Sequence, residues 1–286
     1  MAAGQEKGRF TGYWLIAPAA IWLGLFFVVP FYSLLSTSLY DPEGSVLTGY
    51  KVTFHVQNFS QAIQDYWHPM VRSLWYAGLA TLICLVLGYV LAYAIAFKGG
   101  RWRNLLLVLV IAPFFTSFLV RTLSWKLILA DDGFIVNSLQ AVHLLGQDGR
   151  LLATPVAVIA GLTYNFLPFM VLPLYASLEK IDIRLVEASS DLYASPARGF
   201  FKVTWPLSLP GVVAGTLLTF IPAAGDYINA TLLGSPNQRM VGNVIQDLFT
   251  TTGDYAAAGA LSVILMAVIV AMVMVWVRTS GTEDLV

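Results

Sequence analysis

Polar and apolar positions alternate along this chain in long blocks, six of which are apolar. Each apolar block has roughly the 20 residues that a helix needs to cross a hydrocarbon core of about 30 Å. The backbone at that depth must be helical, because lipid offers it no hydrogen-bond partners. The predicted spans cover residues 13–35, 73–97, 105–130, 153–178, 212–233 and 256–277. The pattern predicts an all-α integral membrane protein with six transmembrane helices.

The polar blocks between these spans predict loops rather than further domains. One of them, residues 36–72, is too polar to lie in lipid. The first span follows a short basic segment, residues 1–12, and in this it resembles a signal peptide. Its apolar run is too long for that role and no clear cleavage site follows, so we expect an uncleaved first span. Pro113 lies inside the third span, where neighbouring helices can satisfy the freed carbonyl.

Composition supports the membrane assignment. The 286 residues are 58% hydrophobic and 11% charged, whereas a soluble domain carries about 25% charged residues. A net charge of zero gives no indication of nucleic-acid binding. The single cysteine and the three histidines lack the spacing of metal ligands, so no metal site is expected.

The distribution of Lys and Arg predicts the orientation, because cytoplasmic loops are enriched in these residues. With six spans, ten of the 16 Lys and Arg fall on the side that holds 1–12, 98–104, 179–211 and 278–286. We therefore expect these segments, including both termini, to be cytoplasmic in a cell-membrane protein. The other side is mildly acidic, which weakly favours a cationic substrate.

The charge-rich segment 179–211 has a pattern that predicts two short helices. Apolar positions of the first helix recur at steps of three and four, and they are Ile181, Leu185, Ala188 and Leu192. Ser195-Pro196 starts the second helix, which we expect to run to about Thr204 before Pro206 and Pro210 stop it. An apolar stripe on a solvent-facing loop is expected to be buried against another surface. That surface could be the chain's own helix ends, a partner protein or the membrane surface.

The same segment carries a motif, Glu187-Ala188-Ser189 followed by Asp191-Leu192, Ala194-Ser195-Pro196, Phe201, Pro206, Pro210 and Gly211. The motif resembles the EAA loop of type I ABC-importer permeases, although Tyr193 stands where the family has glycine. The resemblance implies the permease fold, a second permease subunit, a dimer of a cytoplasmic ATPase and an extracytoplasmic substrate-binding protein. It also implies that coupling to the ATPase involves Arg184, Glu187, Ala188, Ser189, Asp191, Leu192, Ala194, Pro196 and Phe201.

Four further stretches resemble the spermidine/putrescine group of these permeases, namely 119–121, 167–175, 222–227 and 234–247. The resemblance covers most of the chain and implies a polyamine substrate. Another small solute, such as iron, thiamine or a different organic cation, is the alternative within the family. A stand-alone channel or secondary carrier is a further alternative, but the two halves of the chain show no evident inverted repeat.

No Gly-x-x-x-x-Gly-Lys-Ser/Thr loop occurs in the sequence, and such a loop is what cradles ATP phosphates in many ATPases. The spans also lack a nucleophile–base pair of the kind that covalent catalysis needs. We therefore expect this chain not to be an enzyme and to hold no cofactor. ATP and Mg²⁺ are expected in the partner ATPase.

Asp226 is the one acidic residue within a predicted span. A buried carboxylate is expensive in lipid and is expected to face a cavity or a partner. Helical steps would place it on one stripe with Thr216, Thr219 and Asn229. A carboxylate near aromatic and amide groups suits an alkylammonium ion, so the predicted substrate path is lined by Asp226, Tyr227, Asn229, Tyr164 and Asn165.

A structural hydrogen-bonding cluster, or pairing of Asp226 with a basic residue of the second subunit, is the alternative interpretation of these polar residues. Arg121 and Lys126 lie near the outer end of the third predicted span. Both would repel a polyamine if they faced the pore, so we expect them to extend outward toward the interface.

Overall fold

Helices dominate the computed structural model, which describes residues 16–44, 49–146 and 148–279. In chain order they are α1 (Ile16–Ser38), α2 (Gln57–Lys98), α3 (Arg103–Ile111), α4 (Phe118–Ile128), α5 (Phe134–Ala141), α6 (Pro155–Leu178), α7 (Ile183–Asp191), α8 (Pro196–Ala224), α9 (Ile228–Leu233), α10 (Val241–Asp247) and α11 (Tyr255–Thr279). The predicted N-terminal segment 1–12, the start of the first predicted span and residues 280–286 of the predicted tail lie outside the described residues.

Five helices are long and apolar enough to cross a membrane, namely α1, α2, α6, α8 and α11. A sixth crossing is available within the described ranges if α3 and α4 act together as one span. The chain is therefore all-α, as the block pattern predicted.

The third predicted span, 105–130, is not one continuous helix. A bend of 93° separates the stretch ending at Phe115 from α4. Pro113 starts the disruption, because its ring excludes a normal α-helical turn, and residues Ala112–Phe115 form a 3₁₀ turn instead. Thr116 then takes an extended backbone and closes the turn by donating through its N–H and its Oγ1 to the Pro113 carbonyl.

The predicted polar loop 36–72 is shorter than expected, because α2 begins at Gln57 instead of near residue 73. Tyr66 interrupts the helix with a non-helical backbone (φ −121°, ψ 17°), and Pro69 follows it. Pro69 has no N–H to donate to the carbonyl four residues earlier, and in a regular helix its ring would collide with that carbonyl. The kink at Tyr66 makes room for the ring. Apolar residues of this first part do recur at helical steps of three and four, namely Phe59, Ala62, Ile63, Tyr66, Trp67, Met70 and Val71, but the polar residues between them gave the stretch the hydropathy of a loop.

The fifth predicted span, 212–233, is wrong at both ends. Its helix starts at Pro196 and ends at Ala224, so Pro206 and Pro210 do not stop the second short helix of the 179–211 segment. A π-helical turn, Phe200–Thr204, ends two residues before Pro206 and widens the helix at the carbonyls that the proline ring would meet. Gly225 to Tyr227 then separate α8 from α9.

Among the described residues, those from Ile16 to Asp65 form one compact unit together with Asp247–Met266. Asn58 Nδ2 donates to the carbonyls of Ser38 (3.1 Å) and Tyr40 (2.8 Å). Tyr50 donates to the Gly253 carbonyl (3.0 Å), and its ring meets that of Tyr255 edge-on at 4.7 Å. These contacts fix the chain reversal between α1 and α2 to the start of α11.

Tyr66–Gln246 and the residues from Ala267 onward form the second unit, in which α6 is the central helix. It packs along α8, and small residues of α8 allow the two backbones to approach closely. A Cβ on Gly211 would stand 2.7 Å from the Pro173 carbonyl oxygen, and one on Gly215 would stand 3.1 Å from that of Met170. This helix pair carries the 179–211 segment at one end and Asp226 at the other.

Candidate functional site

The first helix of the 179–211 segment has defined hydrogen-bonded caps at both ends. Asp182 Oδ1 accepts a hydrogen bond from the Arg184 N–H (3.0 Å) and caps the start of α7. At the other end, the N–H of Ala194 donates to Ser189 O (3.1 Å) and that of Tyr193 to Ser190 O (3.0 Å). These two bonds are the Schellman pattern, which places a left-handed residue directly after the helix.

Tyr193 is that left-handed residue, with φ of 57°. The family motif has glycine at this position, and the backbone shows why, because glycine adopts positive φ without a steric penalty. Tyr193 makes the same turn, and its side chain is 96% exposed. The departure from the motif therefore leaves the turn between the two helices intact.

A close contact joins α7 to the start of α8. Ser195 Oγ accepts from the Arg198 N–H (3.4 Å) and Pro196 occupies the first helical position, as predicted. A Cβ added to Gly199 would stand 2.8 Å from Ser189 Oγ. The small residue of the motif at 189 thus faces the buried Gly199 and lets the two helices touch.

The apolar stripe of this segment is only partly covered. Ile181 is half-buried, but Leu185 and Leu192 are 49% and 82% exposed, and Ala188 is exposed as well. The side of α7 that packs inward consists instead of Val186 and Ser189, both half-buried. Among the other predicted coupling residues, Ala194 is half-buried. The remaining five are exposed, namely Arg184, Glu187, Asp191, Pro196 and Phe201.

Asp226 lies in the break between α8 and α9 and not on a helical stripe of α8. The prediction that it continues the row of Thr216 and Thr219 is therefore wrong, because Pro222 weakens the last turn and the helix ends at Ala224. The Asp226 carboxylate instead caps α9. Its Oδ1 accepts from the Asn229 N–H (2.8 Å) and from Asn229 Nδ2 (3.1 Å).

A chain of hydrogen bonds extends from this carboxylate to two other helices. Asn165 Nδ2 on α6 donates to Asn229 Oδ1 (3.1 Å) and to Thr122 Oγ1 on α4 (3.0 Å). We call Thr122, Asn165, Asp226 and Asn229 the polar cluster. Their exposed fractions are 0%, 1%, 8% and 0%, so the cluster is a buried junction of α4, α6 and α9.

The two predicted path tyrosines adjoin cluster residues in the sequence, Tyr227 after Asp226 and Tyr164 before Asn165. Tyr227 is 41% exposed, and its carbonyl accepts from Asn243 Nδ2 (2.8 Å). Tyr164 is half-buried, and its ring lies 5.4 Å from that of Trp125. The structure therefore joins Asp226, Asn229 and Asn165 directly, adds Tyr227 beside them, and gives Tyr164 an aromatic partner.

Sequence reasoning missed Thr122 and Asn243 as members of this site. Asn243 Nδ2 also donates to Thr231 Oγ1 (2.7 Å), and its Oδ1 accepts from the Met240 N–H (2.9 Å). The sequence did contain a signal for Asn243, because this amide lies in the 234–247 stretch that resembles polyamine permeases. Thr122 carries no such signal, since a threonine in an apolar run commonly bonds its own backbone.

Arg121 does not extend outward, contrary to the expectation. It is 7% exposed, and its guanidinium lies 5.3 Å from the Phe114 ring and 5.6 Å from the Phe118 ring. The bend between α3 and α4 brings both rings around it, and aromatic faces attract a cation. Lys126, one turn further along, is exposed.

Comparison with known proteins identifies the family. Residues 84–280 match the model of the binding-protein-dependent transport system inner membrane component. The chain is 36% identical to the spermidine/putrescine transport system permease protein PotB of Haemophilus influenzae, covering 91% of this chain and 90% of that protein. It is 37% identical to PotB of Escherichia coli K12 over 91% of this chain and 94% of that protein. These relatives are permease subunits and not enzymes.

Solved structures show the same architecture. A chain of a bacterial ABC transporter that imports the acidic polysaccharide alginate superposes with a TM-score of 0.75 at 18% identity, covering 97% of each chain. A chain of the MetNI methionine ABC transporter gives a TM-score of 0.55 at 16% identity, covering 77% of this chain and 94% of that one. The fold is that of type I ABC-importer permeases, and this multi-pass membrane chain belongs to the family of binding-protein-dependent transport system inner membrane components.

Proposed function

We propose that this chain is a permease subunit of an ATP-driven importer that moves polyamines such as spermidine and putrescine into the cell. The observation that carries the substrate class is the identity of 36–37% to spermidine/putrescine permeases over 91% of the chain. Similarity of that extent includes the polar cluster, the break before α9 and the 179–211 segment. The carboxylate of Asp226 suits a cationic substrate better than an anionic one.

The geometry of the polar cluster suits an alkylammonium group. Both donors of Asn229 engage Oδ1 of Asp226, and among the described residues no hydrogen bond falls on Oδ2. A substrate amine can donate to that second oxygen in a charge-assisted bond, and the next residue in the chain, Tyr227, has an exposed ring that can supply a cation–π contact. In this proposal Asp226, Tyr227 and Tyr164 line the path, while the buried Asn165 and Asn229 orient the carboxylate.

The exposed stripe of α7 supports the proposed coupling to an ATPase. Leu185, Ala188 and Leu192 form an apolar row beside the exposed charges of Arg184 and Glu187. A protein groove can bury the row and pair the charges, which is how amphipathic helices are commonly recognised. ATP and Mg²⁺ would be bound by that ATPase, and an extracytoplasmic binding protein would deliver the polyamine to this chain and a second permease subunit.

The transport proposal is tested with Asp226→Asn in the complete transporter, reconstituted in proteoliposomes with its binding protein. The amide keeps an acceptor for Asn229 and removes only the charge, so it separates a transport role from a purely structural one. We expect spermidine uptake to fall about tenfold or more, the equivalent of a lost hydrogen bond to a charged group. Assembly and basal ATPase activity should stay as in the wild type.

Asp132→Asn is the matched control, because it removes an exposed carboxylate and should leave uptake unchanged. Wild-type uptake by Asp226→Asn would remove Asp226 from the path and favour the structural cluster. A wild-type transporter that accumulates neither spermidine nor putrescine would contradict the substrate class.

The coupling proposal is tested by measuring the affinity of the purified permease pair for its ATPase. Glu187→Ala removes an exposed charge from the centre of α7 and should weaken binding about 5- to 30-fold, the range of a loss of 1–2 kcal/mol at an interface. Ser190→Ala, an exposed position on the same helix, should bind normally. Equal affinity of the Glu187 variant and the wild type, with full transport, would exclude this surface as the docking site.

A further inference from the structure

Three side chains meet where α6 ends and the 179–211 segment begins. Arg103, the first residue of α3, forms an ion pair through its Nη2 with Oε1 of Glu179. Its Nε donates to the hydroxyl of Tyr175, and its Cζ lies 5.0 Å from the centre of the Tyr175 ring. Arg103 therefore binds both Tyr175 and Glu179, and we call these three residues the tether.

The tether differs from an ordinary surface ion pair. Exposed pairs of flexible side chains contribute little, but the Arg103 and Glu179 side chains are only 31% and 46% exposed, and Arg103 is also held by Tyr175, which is 9% exposed. The nearby Tyr175 hydroxyl, and then Arg103, outweigh partial burial and hold the pKa of the Glu179 carboxyl below its usual value. A glutamate with its ordinary pKa is already charged at neutral pH, and the lowered pKa keeps the ion pair intact further into the acidic range.

The tether sits on a short and well-bonded connection to α7. Glu179 caps the C-terminal end of α6 and donates its N–H to Tyr175 O (2.8 Å). Lys180 and Ile181 continue the turn with bonds to Ser177 O and Leu178 O, and Asp182 already caps α7. With three residues between the capping residue of α6 and α7, displacement of α7 must act on Glu179.

The other side of the tether leads to the polar cluster. Arg103 begins α3, which continues through the bend at Thr116 into α4, and α4 carries Thr122 of the cluster. A continuous series of contacts thus runs from the exposed stripe of α7 through Glu179 and Arg103 to the residues that hold Asp226. Coupling between α7 and the polar cluster along this series would appear as a measurable coupling energy between its members.

We propose that Arg103 is a positioning residue for energy coupling, which ties the 179–211 segment to α3 so that movement of α7 is passed to α4 and the polar cluster. This inference rests on the proposed ATPase docking. Removal of the Arg103 guanidinium should leave assembly, ATPase binding and basal ATP hydrolysis unchanged. The molecules of spermidine taken up per ATP hydrolysed should decrease, which a residue needed only for folding would not cause in an assembled complex.

The experiment uses the full transporter in proteoliposomes and compares Arg103→Gln, Glu179→Gln and the double variant. We expect each single change to lower uptake per ATP about fivefold, the lower end of common coupling energies, and the double variant to lower it by the same factor. Arg101→Gln removes a guanidinium from the same turn, where it lies over Trp102, and should behave as the wild type. The exchange Arg103→Glu with Glu179→Arg should restore part of the coupling.

Two results would overturn the inference. One is unchanged uptake per ATP in Arg103→Gln, and the other is independent effects that multiply to about 25-fold in the double variant. A label on Ser124→Cys of α4 adds a readout that needs no substrate, since the native Cys84 is fully buried. The label should respond to ATP trapping in the wild type but not in Arg103→Gln. This keeps the tether testable even if the transporter takes up no spermidine, a result that would contradict only the proposed substrate.

Discussion

Tyr193 is strained by the turn that it makes. A left-handed backbone costs a residue with a Cβ about 1–2 kcal/mol, while glycine loses about 0.5–1 kcal/mol more conformational entropy on folding. Tyr193→Gly should therefore stabilise the end of α7 by about 0.5–1 kcal/mol. Hydrogen–deuterium exchange of the last α7 amides should slow about 2- to 5-fold, because local opening becomes less favourable.

Tyr193→Ala provides the control for this change. It removes the same exposed ring and keeps the Cβ, so exchange should stay near the wild-type rate. Equal slowing in both variants would show that the ring, and not the backbone angle of 57°, sets the stability of this turn.

Single polar residues within the spans were predicted in part. The pattern identified Asp226, Asn229 and Asn165, because polar side chains in apolar runs are conspicuous, and the structure joins them by hydrogen bonds. The pattern misplaced Arg121, since its surroundings depend on a bend that brings Phe114 and Phe118 over the guanidinium. The role of the cluster in transport stays a prediction until Asp226→Asn is measured.

At the scale of elements, hydropathy did not predict whether a helix breaks at a proline or continues through it. Pro113 was expected to be tolerated and Pro206 to stop a helix, and the structure reverses both expectations. The difference lies in the backbone turn around each proline. A 3₁₀ turn followed by an extended Thr116 breaks the helix at Pro113, whereas the π turn before Pro206 lets the helix continue. Hydropathy reports the length of an apolar run and carries no information on these turns.

The contact between α6 and α8 leads to a prediction about packing. Gly211→Ala would force a Cβ against the Pro173 carbonyl and the Leu174 Cα, at 2.7 and 3.1 Å. Backbone atoms cannot move aside as a side chain does, so the helices must separate. We expect a loss of about 1–3 kcal/mol, typical of overpacking, seen as a melting temperature of the purified protein that is several degrees lower.

Gly78→Ala in α2 is the matched control, because no atom lies within 4 Å of the added Cβ. Alanine also favours a helix over glycine by about 1 kcal/mol, so this variant should melt at the wild-type temperature or above. A Gly211 variant as stable as the Gly78 variant would mean that α6 and α8 do not need this close approach.

At the scale of the whole molecule, the number of crossings depends on the bent pair. The arms Gly100–Phe115 and Phe118–Ile128 have a combined length of roughly 41 Å at 1.5 Å per residue. If each arm tilts by about half of the 93° bend, together they rise roughly 28 Å. That is close to a hydrocarbon core of about 30 Å, so the pair is long enough to cross. A re-entrant pair would instead return to the side from which it came.

Cysteine labelling with a membrane-impermeant maleimide in intact cells distinguishes these arrangements, since the native Cys84 is buried. The variants are Trp102→Cys, Phe134→Cys and Leu192→Cys, at positions 56%, 82% and 82% exposed. If the bent pair crosses and the side rich in Lys and Arg is cytoplasmic, Phe134→Cys is labelled from outside, and the other two react only after permeabilisation. A re-entrant pair would give Trp102→Cys and Phe134→Cys the same accessibility. Labelling of Leu192→Cys in intact cells would place α7 outside and make docking to a cytoplasmic ATPase impossible.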